Sequence, residues 1–186
     1  RAPGACVKPV KLIGGLSSFW ETFLDDLRLP KANLVFELNK GWTVGKRILQ
    51  HERSSIGGIG GAQKTTSIEE YAKQYIGVDS QGKVDDAVLR NQILSHRMND
   101  SAFALTMKRS VQESATGTAP GAVSSMFKYY GTEQNKGKYE LLLSILGTQS
   151  LGWSGDNFAA DELTTTRAWL RSKANSIEGG TSEVQL

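Results

Sequence analysis

The sequence predicts a mainly α fold, an antiparallel helical bundle preceded by a few β-strands. Three observations carry this expectation. Residues 5 to about 37 alternate apolar and polar positions between turn residues. From about residue 38 the apolar period lengthens to that of a helix. Two later segments, about 84–114 and 121–146, are each long enough for a bundle helix.

In the leading segment Val10 and Leu12 flank Lys11, and Leu27 and Leu29 alternate with Asp26 and Arg28. Gly14-Gly15 punctuates it and Pro30 ends it. Two or three strands do not make a stable sheet alone. Residues 1–37 are therefore expected to be the end of a β-domain, and 38–186 a helical domain.

The first helix carries Gly45, Ile48, Leu49, Glu52, Ile56 and Ile59 on one stripe, with Arg47, Gln50, His51 and Ser54 opposite. A carboxylate thus stands within an apolar stripe. Gly57-Gly58-Ile59-Gly60-Gly61 follows, as a helix end or a place of close backbone approach. A short helix is expected over 67–76, with Ser67 as N-cap and Glu70 completing a capping box. The helix over 84–114 shows Ala87, Leu94, Met98 and Leu105 on one face. Leu89, Phe103 and Met107 lie on another, the pattern of a helix between neighbours. The helix over 121–146 has the stripe Val123, Met126, Phe127, Tyr130, Leu141 and Ile145, with Met126 and the tyrosines expected in the core. A Gly/Ser-rich loop around 152–155 leads to a last helix over 161–174.

Composition narrows the function classes. The net charge of the 186 residues is +3, and basic residues come in pairs such as Lys46-Arg47 rather than in patches, against a nucleic-acid binder. The single cysteine, Cys6, makes no internal disulfide. His51 and His96 belong to no metal spacing. No apolar run reaches the ~18 residues of a membrane span. A soluble, reducing compartment such as the cytoplasm is the expectation. The chain starts at Arg1 and stops soon after the helix-start signal Gly180-Thr181-Ser182-Glu183, so it is expected to be part of a longer protein.

Two segments carry a family resemblance. One is Glu21–Pro30 with Asn39-Lys40-Gly41-Trp42-Thr43-Val44 and the helix reaching His51-Glu52-Arg53. The other is Arg171-Ser172-Lys173-Ala174-Asn175-Ser176-Ile177-Glu178-Gly179-Gly180-Thr181-Ser182-Glu183-Val184-Gln185. Both resemble acyl-CoA dehydrogenases, at the junction of the middle β-domain with the C-terminal helical domain and at the flavin-site loop. The resemblance implies α,β-dehydrogenation of an acyl-CoA thioester. A glutamate would remove the α-proton and FAD accept hydride, with electrons passing to an electron-transferring flavoprotein.

Many members of the family place the base directly before the Gly-Thr pair, where this chain has Gly179. Others place it on the first helix directly before an arginine, where this chain has Glu52 and Arg53. The resemblance therefore implies Glu52 as base, with Glu178 as rival. An apolar helix face would raise its pKa toward that of a working base. Gln50 and Arg53 match CoA-contacting positions and Gly180 a thioester-contacting one. Thr181, Ser182 and Glu183 match flavin contacts. The family's Arg-x-x-Phe-Gly motif has no counterpart over 84–97, and its Gln and Gly-Gly are reduced to Ser144, Gly147 and Thr148. These departures imply an altered homo- or hetero-oligomer, and a part that holds no FAD by itself. The alternatives are a non-catalytic subunit and a related flavoenzyme of monooxygenase or nitroalkane-oxidase type.

Overall fold

The computed structural model describes residues 3–56, 67–116 and 123–186, without the side chains of 50–56. The chain divides into two units, Arg1–Ile59 and Gly60–Leu186.

The first unit holds β1 (Ala5–Val10) and β2 (Phe19–Leu24), an antiparallel pair with Val10 opposite Phe19 and Ala5 opposite Leu24. The Leu12 amide donates to the Leu16 carbonyl and the Gly15 amide to the Leu12 carbonyl, in a turn where Gly15 has a φ of 83° that suits glycine. The expected strand around Leu27 and Leu29 is absent. Asp26 turns the chain at φ 49°, and Pro30 leads into a short 3-10 turn, Lys31–Asn33. α1 follows at Gly41–Ile56.

The second unit is the bundle. α2 (Ile68–Tyr75) opens with the expected capping box: the Ser67 amide donates to Glu70 Oε2 at 3.0 Å, and the Glu70 amide to Ser67 Oγ at 3.1 Å. α3 (Ala87–Ala115) starts later than the periodicity predicts. Val84 pairs with Val78 in an isolated bridge, and Asp86 caps the helix, its Oδ1 accepting from the amides of Val88 and Leu89. α4 spans Val123–Leu146; the expected start at Gly121 lies outside the described residues. α5 spans Ala160–Lys173, and α6, Ser182–Gln185, is a single turn.

The apolar core joins α2 (Ile68, Tyr71, Ala72), Val84, α3 (Leu89, Ile93) and the end of α4 (Leu142, Ile145, Leu146). Two side-chain bonds tie α2 to α5. The Tyr71 hydroxyl donates to Asp161 at 2.8 Å and the Tyr75 hydroxyl to buried Glu162 at 2.7 Å. Further along, Phe103 of α3 packs edge-on against Phe127 and beside Tyr130. Gly131 permits that approach, since a Cβ there would stand 3.0 Å from the Phe103 ring. Two expectations need correction. Met126 is exposed, because Phe127 and Tyr130 take the contacts with α3. Of the two apolar faces of α3, the one holding Leu94, Met98 and Leu105 is exposed, because among the described residues of this unit α2 and α4 pack on the side of Leu89, Ile93 and Phe103.

Candidate functional site

Between α5 and α6 lies a glycine turn on which four of the seven expected site residues meet. After α5 a 3-10 turn, Ala174–Ser176, delivers Ile177 and Glu178 to Gly179-Gly180. Both glycines are left-handed, with φ of 65° and 104°, and a Cβ at Gly180 would stand 2.5 Å from Gln185 Nε2. Thr181 then caps α6.

The turn is held by polar contacts rather than apolar ones. Glu178 accepts from Arg171 Nη2 at 2.7 Å and from Asn175 Nδ2 at 2.5 Å. Asn175 in turn accepts from Asn135 of α4 at 3.0 Å. Beside it, Lys136 donates to both oxygens of Glu133 and to Ser176. The Ser176 hydroxyl also donates to Glu133. The hydrogen bond from Lys136 holds the Glu133 carboxyl below its usual pKa. The Glu183 carboxyl is also held low, first by its own backbone amide and then by the Thr181 hydroxyl.

Close to this turn, Nζ of Lys128 on α4 and Oγ of Ser182 on α6 are shielded from solvent and make no hydrogen bond to the described residues. An anion rich in oxygen, such as the diphosphate of a flavin dinucleotide, has the chemistry to satisfy both. Gly180, Thr181, Ser182 and Glu183 are thus brought together. Gln50, Glu52 and Arg53 fall on the last turns of α1, in the other unit, with side chains outside the described residues.

Lys128, Asn135 and Arg171 were not anticipated as part of the site. The first two stand seven residues apart and so share a face of α4, but polar residues are frequent along this helix and the sequence alone does not single them out.

A separate cavity of about 810 Å³ opens among α2, α3 and α4, lined by Lys73, His96, Arg97, Asp100, Gln134 and Lys138. None of the expected site residues lines it. Burial lowers the His96 pKa there. Among the described residues no three His, Cys, Asp or Glu side chains group as a metal site, and no helix is long and apolar enough to cross a membrane.

The chain is similar to known proteins over nearly all of its length. The family profile of the acyl-CoA dehydrogenase C-terminal domain matches residues 39–186. Acyl-CoA dehydrogenase FadE34 of Mycobacterium tuberculosis is 26% identical over 184 residues, covering 99% of this chain and 24% of its own. Acyl-CoA dehydrogenase IpdE1 of Mycolicibacterium smegmatis is 26% identical over 186 residues, covering 98% of this chain and 44% of its own. Among solved structures, the ChsE4-ChsE5 complex from Mycobacterium tuberculosis superposes with a TM-score of 0.72 at 24% identity, over 99% of this chain and 48% of that one. The chain thus spans less than half the length of these relatives. It belongs to the acyl-CoA dehydrogenase family, and its residues 39–186 are that family's C-terminal helical domain.

Proposed function

We propose that the protein carrying this chain dehydrogenates an acyl-CoA thioester between its α and β carbons, with Glu52 as the base that takes the α-proton. The observation that carries the choice of base is the state of the glycine turn. Gly179 has no side chain, and the neighbouring carboxylate, Glu178, is already engaged by Arg171 and Asn175. A base must be free to approach a substrate proton within hydrogen-bond reach. Glu178 is bound instead to a cation and an amide, so the carboxylate on α1 is left for the task.

The remaining roles follow from chemistry. The backbone at Gly180, which has no Cβ, suits contact with the thioester oxygen, where negative charge develops as the proton leaves. Gln50 and Arg53, beside Glu52 on α1, are assigned to the CoA moiety. Thr181, Ser182 and Glu183 are assigned to the flavin, together with the unsatisfied groups beside them. Bound FAD supplies the hydride acceptor, and an electron-transferring flavoprotein is the expected onward carrier. The open face of α3 suits an oligomer. A hetero-oligomer is in keeping with the ChsE4-ChsE5 complex among the structural relatives.

The test is the visible spectrum of the full-length protein with its subunits. Flavin absorbance that bleaches when acyl-CoA is added supports the reading. Bound flavin that no acyl-CoA in a panel of chain lengths and branched forms reduces would contradict it and point to a non-catalytic subunit.

A further inference from the structure

Lys128 is 7% exposed, and its ammonium makes no hydrogen bond to the described residues. A cation removed from water without a partner is strongly unfavourable, so its presence calls for a reason. Two carboxylates, Glu133 and Glu183, are near enough to feel its charge. Neither is its hydrogen-bond partner: Glu133 is taken by Lys136 and Ser176, and Glu183 by its own amide and Thr181. α6 packs against α4, and it carries the second unsatisfied atom, Ser182 Oγ. A buried ammonium on α4 and a shielded hydroxyl on α6 thus lie on two helices that pack together, each without a hydrogen-bond partner among the described residues.

We propose that Lys128 and Ser182 form an anion-accepting subsite that takes a phosphate oxygen of the flavin dinucleotide. The ammonium supplies charge and the hydroxyl a hydrogen bond. The assignment rests on the flavin-dependent function proposed above and adds a residue, Lys128, that the family motifs at 178–185 do not include. Phosphate is favoured over the substrate's thioester because a full positive charge is best matched by a full negative one.

The test uses Lys128→Met, which keeps the unbranched stem to within one atom of its length and removes its charge. Two measurements are made on the full-length protein: thermal unfolding of the flavin-free form, and affinity for FAD and for riboflavin, which lacks phosphate. The expected results are a flavin-free variant at least as stable as wild type, because an unpaired buried charge has gone. Its FAD affinity should fall about 10- to 100-fold, as for loss of one hydrogen bond to a charged group. Riboflavin affinity should not change, and Lys128→Arg should retain most of the FAD affinity. A destabilised Lys128→Met would make Lys128 a structural partner of Glu133 or Glu183 and overturn the proposal. Equal FAD affinity in variant and wild type would overturn it while leaving the flavin-dependent function standing. A wild type that binds no FAD would overturn both.

Discussion

The two ends of α4 are held in place by different physics. Its last turn puts Leu142, Ile145 and Leu146 into a core with α2 and α3. Its first and middle turns carry Lys128, Glu133, Asn135 and Lys136 toward the glycine turn, where the contacts are hydrogen bonds and ion pairs. Apolar burial is non-directional, whereas a hydrogen bond fails when its partner moves by a fraction of its length. A cofactor loop that must present backbone groups at fixed positions is better served by the second kind of contact. The cost is sensitivity to protonation, which an apolar core lacks.

The largest way to break the apolar end is Ile145→Ala. Ile145 is 2% exposed, and its truncation should cost about 2–5 kcal/mol of stability, read in chemical denaturation. The slow amide exchange of the core should be lost with it. A cost below about 1 kcal/mol would mean that this end is not the anchor of the bundle.

A smaller effect is expected at the polar end, and it should depend on pH. Glu133 and Glu140 have folded pKa values below the usual 4.5, held there first by Lys136 and by Lys173 respectively. A lowered folded value means that the unfolded chain takes up protons first. The stabilisation is therefore complete above pH 4.5 and is lost as pH falls through the folded values. His96, lowered from 6.5 by burial, adds an earlier loss that begins as pH drops below 6.5. Denaturation midpoints measured from pH 8 to 3 should fall in these two stages, and His96→Gln should remove the upper one. Amide exchange at 175–183 should quicken in the lower stage before the core opens. A loop that stays protected until global unfolding would contradict the contrast between the two ends.

The same contrast explains what the sequence disclosed. Period and capping chemistry located every bundle helix, because apolar spacing and the Ser67–Glu70 box are local signals. The start of α3 was missed by a few residues because Val84 belongs to a bridge with Val78, a pairing that periodicity does not register. The turn residues 180–183 were legible from their motif. Their tie to the bundle was not: Asn135 meets Asn175 only through tertiary packing, and polar residues on a helix read as solvated until their partners are placed. Met126 failed as a core residue for a related reason, since an apolar stripe does not reveal how far its neighbour extends.

The central claim is that the base lies on α1 and that the carboxylate beside the glycine turn is a tether. It is tested most directly by the rate of flavin reduction by acyl-CoA in a single turnover, comparing Glu52→Gln with Glu178→Gln in the full-length protein. The account predicts a loss of about a hundredfold or more for Glu52→Gln with acyl-CoA still bound, in line with removal of a general base. It predicts a much smaller change for Glu178→Gln, which keeps an acceptor for Asn175. A reduction rate that survives Glu52→Gln and collapses in Glu178→Gln would contradict it.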